Sequence, residues 1–427
     1  MKREQGKPIS PIFGNPLHLA WGIGSLGTIT MVSAVSNLYL FFLISVLKVA
    51  PALAGFLIFV SKIFDTVSDP ALGWISDRTN SRWGRRRPFM LAGALLGPLT
   101  LILLFQPPLG LEWISTEAII LTALILYAAA LTLFNVPYLA MPAEMTDDYH
   151  ERSSIMSYRA AFLVGGGFLG GSLAGPIIAR SGGGAEGYAV LGYVLAAIVF
   201  IAMMCTVVFT KKARFTAHKP ASISAWSQAR LFFVNSPFLF LAGVKAFQFL
   251  QLAAGGASTL FFFISVLGRD EALLFPFGAA VISGSLLSLR FWLPIIRKLG
   301  KKPVMLIALL AQTALYLSWM ASGPDEPMTI FLARAFFLGA MGGGILIASQ
   351  SMIVDTIDYD RRLSGLSREG LYSSVFSFFE KVMHATGPLI IGVLLAWLGY
   401  DANIPRGEPQ PDSAITAIYV GQAIIPA

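Results

Sequence analysis

Phe64-Asp65-Thr66-Val67-Ser68-Asp69-Pro70-Ala71-Leu72-Gly73-Trp74-Ile75-Ser76-Asp77-Arg78 closes an apolar window that opens at Ala50 and runs into a basic turn, Arg82-Trp83-Gly84-Arg85-Arg86-Arg87. Two carboxylates therefore stand inside a segment long and apolar enough to cross a bilayer. On insertion scales each costs roughly 2.5 to 3.5 kcal/mol, so each requires a partner or a task. Lys62, Asp65 and Asp69 are spaced by three and four, which places all three on one face of a helix.

Similar apolar windows cover the rest of the chain. The composition is 56% hydrophobic and 13% charged over 427 residues, with a mean hydropathy of +0.70. A soluble domain carries about a quarter charged residues, so this surface belongs in lipid. Twelve windows of about 20 residues are expected. The first six are Leu17 to Leu47, Ala50 to Ile75, Pro88 to Phe105, Glu117 to Ala140, Ser154 to Ala179 and Tyr188 to Thr210. The second six are Pro237 to Leu267, Ala272 to Ile296, Pro303 to Ala321, Met328 to Val354, Leu371 to Leu398, and Ala414 onward. The last is about fourteen residues, short for a bilayer of roughly 30 Å. The first is too long for a signal peptide and is expected to remain as a span. Cys205, the single cysteine, lies in span 6 and carries no redox reading.

The net charge of +8 is distributed by loop and does not point to nucleic acid. Arg78 to Arg87, Lys211 to Lys219 and Arg297 to Lys302 follow spans 2, 6 and 8, while the intervening loops carry no such excess. The positive-inside rule puts the basic loops and the N-terminus in the cytoplasm of a multi-pass protein of the plasma (inner) membrane. The polar interval 211–236 divides the chain into bundles 1–210 and 237–427. The halves repeat one another: both Gly84 and Gly300 sit in turns with basic flanks. Glu144 to Arg152 and Asp355 to Arg361 share the order acid, Asp-Tyr, Arg. Paired six-helix bundles enclosing a midplane cavity are a carrier plan. No P-loop, nucleophile elbow or metal-ligand cluster suggests an enzyme.

Paired carboxylates in low dielectric repel, and a bound cation removes that repulsion. The hydroxyls of Ser68 and of Thr132 in span 4 can complete an oxygen shell of the kind a hard cation takes. The alternative is a structural ion pair between Lys62 and one aspartate. In span 11, Glu380 and Lys381 are adjacent and point in different directions, with Lys381 expected in the cavity. Arg159 in span 5 faces either substrate or an acid. Asn135-Val136-Pro137-Tyr138 bends span 4 beside the carboxylates.

The run from Phe64 to Phe89, with the Asp-Pro step and Arg82-Trp83-Gly84-Arg85-Arg86-Arg87-Pro88, resembles the glycoside-pentoside-hexuronide:cation symporter family, the melibiose carrier group of the major facilitator superfamily. Pro137-Tyr138, the Glu144 to Arg152 loop, Asp355 to Tyr359, Arg368 to Tyr372, Lys381 and Gly399-Tyr400 extend the resemblance into both halves. It implies an all-α membrane protein of two pseudo-symmetric six-helix bundles. The implied activity is symport of a sugar or sugar acid with sodium or a proton by alternating access, with no other cofactor or metal. Its implied partners are the bilayer and a glycoside, pentoside or hexuronide, and the chain acts as a monomer.

In the melibiose carriers the positions matching Asp65, Ser68, Asp69 and Thr132 line the cation site, with asparagine in place of Ser68. The position matching Lys381 lies beside both sites, and that matching Arg159 lines the sugar pocket. The sugar-binding carboxylates of spans 1 and 4 correspond to Ser25 and Asn135 here, and the sugar-stacking tryptophan to Leu139. The expected substrate residues are Ser25, Asn135, Tyr138, Arg159 and Lys381. With two acids lost, a net positive cavity favouring an anionic sugar is expected. A related branch carries lysophospholipids, so an amphiphile carrier of the same fold is the alternative. The expected gating residues are Lys62, Asp77, Arg78, Arg85, Arg86, Glu144, Arg152, Asp355 and Asp358.

Overall fold

The computed structural model describes residues 15–79, 81–110, 114–146, 148–212, 235–364, 369–405 and 408–427, and these contain helices and turns without a strand. Most of the linker expected at 211–236 lies outside the described residues. We number the helices α1 (Pro16–Ala34), α2 (Pro51–Arg78), α3 (Arg87–Phe105), α4 (Thr116–Met145), α5 (Tyr149–Gly167, resuming at Ala174–Arg180) and α6 (Gly184–Phe209). The second set is α7 (Ser236–Phe261), α8 (Leu274–Leu299), α9 (Lys301–Leu317), α10 (Met328–Ser364), α11 (Glu369–Trp397) and α12 (Asp412–Tyr419). Among the described residues, 11 helices are long and apolar enough to cross a membrane. The short α12 is the twelfth element.

Helix starts follow from local chemistry. Prolines open α1, α2, α3 and α7, where the missing N–H costs nothing. The Asn15 and Asn235 side chains cap α1 and α7 by accepting from Leu17 N and Phe238 N, at 3.0 and 3.1 Å. Several spans depart from α-helical winding near one end: π-helical turns occupy Val35–Tyr39, Phe42–Val46, Phe168–Ser172 and Phe262–Val266.

Within the first six helices α1 packs on α5 and α6, α3 on α4 and α6, and α2 on α4. In the second set α7 packs on α11, and α10 on both α8 and α9. Alternating directions put the adjoining ends of α2 and α3, α4 and α5, α8 and α9, and α10 and α11 on one face, here the basic face. The opposite, far face is where the halves close on each other. There Phe41 meets Phe261 at 4.9 Å and Phe168 meets Phe275 at 5.4 Å between ring centroids. Ser45 Oγ lies 3.3 Å from Tyr400 Oη, and Lys48 donates to the Ala402 carbonyl.

Backbones approach closely across the halves where α2 meets α11. A Cβ on Gly55 would stand 2.7 Å from the Pro388 carbonyl oxygen and 3.0 Å from Leu389 Cα, so only glycine fits. Among the described residues, hydrogen bonds between the halves occur on this far side or at Lys381, leaving a cavity of about 220 Å³ shut on the far face.

Gly55→Val is expected to destabilise the folded protein by about 1–3 kcal/mol through overpacking. Gly243→Ala, with open space around its Cβ, should stay within about 0.5 kcal/mol. Thermal unfolding of the two variants in detergent checks this; equal melting would contradict the α2–α11 contact.

Candidate functional site at the cavity between the halves

Asp65 and Asp69 project from the middle of α2, one turn apart, just before Pro70, which removes a backbone donor within the helix. Thr132 on α4 faces both. Its Oγ1 lies 2.9 Å from Asp65 Oδ1 and 3.0 Å from Asp69 Oδ1. A hydroxyl has one proton, so at any instant it donates to one carboxylate and leaves the other a lone acceptor. Ser68 Oγ donates to the Asp65 carbonyl at 3.2 Å and approaches Thr132 Oγ1 at 3.4 Å.

From the opposite half, Lys381 on α11 inserts its ammonium between the outer oxygens, 3.0 Å from Asp65 Oδ2 and hydrogen-bonded to Asp69 Oδ2. The side chains are 10%, 25% and 22% exposed for Asp65, Asp69 and Lys381, so the group is shielded from water but not sealed. Lys62 does not complete an ion pair with either aspartate; its ammonium stands 5.8 Å from the Tyr127 ring centroid. The pairing expected as an alternative within α2 is made across the halves instead, because α11 brings the Lys381 ammonium to the free side of both carboxylates while the Lys62 side chain runs toward Tyr127. One ammonium against two carboxylates leaves this cluster one positive charge short.

The cavity beside the cluster is walled by α1 (Thr28, Ile29, Val32), α2, α4 (Leu131, Thr132, Asn135, Leu139), α5 (Arg159, Leu163) and α11 (Ser377, Glu380, Lys381, His384). Asn135 and Arg159 line it. Among the described residues Arg159 has no carboxylate partner, and its buried Nε is without a hydrogen bond. Ser25 and Tyr138 stand outside the wall. Ser25 is 1% exposed and donates to the Gly22 carbonyl at 2.6 Å. Tyr138 stacks on Trp21 at 4.7 Å and donates to the Trp21 carbonyl at 3.0 Å. Both serve the α1–α4–α5 packing.

The expected surplus of positive charge is corrected by Glu380. It faces the same cavity as its neighbour, so the cavity as a whole carries three cations (Lys62, Arg159, Lys381) and three acids (Asp65, Asp69, Glu380), although of these cations only Lys381 touches the two aspartates. The charges are separated by half: the unpaired guanidinium is on α5 and the Glu380 carboxylate on α11. Among the described residues no group of three His, Cys, Asp or Glu side chains is arranged to hold a metal.

At the basic face, Glu144 at the end of α4 accepts from Arg85 and Arg86, with Arg86 Nε at 2.6 Å. Arg86 also pairs with Asp77 at 3.1 Å. In the second half Lys301 pairs with Asp355 at 2.6 Å, the same relation between a turn and the helix two along. Arg152 donates to the Thr146 carbonyl at 3.1 Å, and Arg78 stacks on Trp74 at 3.8 Å. Asp358 is exposed, with no partner among the described residues. These pairs rivet each half internally.

A family model described as MFS/sugar transport protein matches residues 20–427. The inner membrane symporter YicJ of Escherichia coli (strain K12) is 26% identical over 419 residues, covering 96% of this chain and 88% of the relative. The isoprimeverose transporter of Lactiplantibacillus pentosus is 25% identical over 405 residues, covering 92% and 82%. The crystal structure of the nucleoside transporter NupG superposes with a TM-score of 0.63 at 14% identity, covering 96% of this chain and 97% of that one, a likeness of fold.

Glu144, whose side chain is 5% exposed, carries two guanidinium partners. Glu144→Gln should therefore cost about 3–5 kcal/mol, as loss of a buried ion-pair partner does. Asp77→Asn, at a side chain 56% exposed, should cost no more than about 1 kcal/mol. Denaturant titration of the purified variants reads the difference, and equal costs would contradict the assignment of Glu144 as the anchor.

Proposed function

We propose that this chain, which belongs to the MFS/sugar transport protein family and to its glycoside-pentoside-hexuronide:cation symporter group, carries a sugar-type substrate together with a sodium ion or proton. The protein is a secondary transporter, and its relatives are transporters. The observation that carries the coupling proposal is the charge deficit at Asp65, Asp69 and Lys381.

A cation entering this cluster supplies the missing charge. Sodium would take oxygens from Asp65, Asp69, Thr132 and Ser68, all hard ligands already gathered within hydrogen-bond reach. A proton would instead neutralise one carboxylate. Either way the carboxylates hold Lys381 less tightly, and Lys381 is the hydrogen-bonded link between α2 and α11 in the middle of the protein. Loosening that link lets the halves rock, which joins cation occupancy to alternating access. With the basic loops in the cytoplasm, the far-face seal is external and the cavity faces inward. One charge moving through about 100 mV gains about 2.3 kcal/mol, enough for roughly fiftyfold accumulation.

The substrate reading follows from the wall. Arg159 and Asn135 from one half and Glu380 from the other offer donors and a charged acceptor at separate positions. Charge-assisted hydrogen bonds of both polarities suit the hydroxyls of a glycoside or pentoside. A hexuronide would gain at Arg159 and be repelled at Glu380. Charged groups converging from both halves support a sugar, whose rings can lie on the apolar Ile29, Val32, Leu131, Leu139 and Leu163 of the same wall.

Asp65→Asn and Asp69→Asn are each expected to abolish accumulation driven by an imposed sodium or proton gradient in proteoliposomes; an unchanged cation dependence in either would exclude this coupling site. With a neutral glycoside and the matching uronide offered side by side, Glu380→Gln should raise the uronide-to-glycoside uptake ratio about tenfold, the effect of removing one opposed charge of about 1.4 kcal/mol. An unmoved ratio would remove Glu380 from the pocket.

A further inference from the structure

We propose that the hollow between the α2–α3 turn and the end of α6 binds the phosphate headgroup of an anionic membrane lipid. The hollow has a volume of about 580 Å³ and is lined by Arg82, Trp83, Gly84, Arg87, Val207 and Lys211. Among the described residues, three cations and no acid line it.

The ion pairs divide the basic turn in two. Arg85 and Arg86 turn inward and are neutralised by Glu144 and Asp77. Arg82 and Lys211, both exposed, have no carboxylate partner among the described residues. Arg87 is 9% exposed and donates to the Thr210 carbonyl at the end of α6, so its guanidinium is anchored where α3 and α6 meet. Gly84 makes the bend with a backbone φ of 91°, a left-handed conformation that glycine adopts without strain, and contributes no side chain to the hollow. The site is therefore a shaped concavity with a positive wall in which Arg87 is held in place.

Its surroundings select a lipid over a soluble phosphate. Trp83 is 61% exposed at the rim, the placement favoured by tryptophan at the level of lipid headgroups. Below the rim the exposed surface is apolar: Phe209 and Ile201 on α6 are 65% and 62% exposed, and Leu99 on α3 is 60% exposed. A phosphodiester at Arg82, Arg87 and Lys211 would leave its acyl chains against that surface. Arginine is the suited donor, because its planar fork matches two phosphate oxygens. A zwitterionic headgroup would bring its own cation to an already positive wall. The proposal is independent of the substrate and of the coupling cation, since the basic face lies at a membrane surface on any reading of this fold.

The test is a native mass-spectrometric titration of the full-length chain, purified in detergent, with phosphatidylglycerol, with phosphatidylcholine of the same acyl chains, and with inorganic phosphate. Phosphatidylglycerol should be retained selectively. Its affinity should fall about thirtyfold in the double variant Arg82→Gln/Lys211→Gln, the loss expected for two headgroup-level charges. The charge-preserving pair Arg82→Lys/Lys211→Arg should retain most of it. Arg180→Gln, an exposed arginine at the end of α5 on the far face, should leave it unchanged. Equal retention of phosphatidylcholine, an undiminished affinity in the double variant, or inorganic phosphate binding as tightly as phosphatidylglycerol would each overturn the assignment.

Discussion

Two carboxylates one helical turn apart, shielded from water, cannot both stay ionised without compensation. In this protein the compensation comes from the other half of the molecule. Lys381 on α11 reaches the outer oxygens of Asp65 and Asp69, while Thr132 on α4 shares one proton between the inner oxygens. The arrangement holds the halves together at mid-depth and is short of one positive charge. The rest of the architecture keeps that incomplete cluster at the junction of the two halves.

The two faces are built differently to that end. On the far face the halves touch through small residues and aromatic rings, with Gly55 against the α11 backbone and Phe41 against Phe261. Such contacts carry few hydrogen bonds and can separate without stranding buried polar groups. On the basic face the ion pairs stay within a half: Arg85 and Arg86 with Glu144 in one, Lys301 with Asp355 in the other. Each bundle is stiffened internally there, as the proposed rocking of the halves requires. The lipid hollow proposed at Arg82, Arg87 and Lys211 lies on the outer side of that stiffened turn.

Much of this was legible in the sequence, for physical reasons. Spans are read from apolar length because lipid leaves the backbone little alternative to helix. The Asp65–Asp69 face is read from helical periodicity, and Lys381 is noticed because a charge in a span requires a partner. Sequence does not convey rotation about a helix axis or the depth at which packing fixes a side chain. Ser25 and Tyr138 are expected in the pocket, yet the hydroxyl of Ser25 turns back to the Gly22 carbonyl and Tyr138 is taken up by Trp21. Adjacent positions in a helix diverge by about 100°, which assigns Lys381 alone to the cavity. The cavity is wide enough to receive Glu380 as well, and its charge balance changes as a result. The π-helical turns, which shift register near the ends of several spans, leave no compositional mark.

The central claim is that the Asp65–Asp69–Lys381 cluster accepts one further positive charge as part of its working cycle. Charge displacement on a solid-supported membrane, recorded after a sodium or pH jump with no sugar present, tests it most directly. The account predicts a transient charge movement in the parent that vanishes when Asp65 and Asp69 are both replaced by asparagine. A displacement of the same size in that double variant would contradict it.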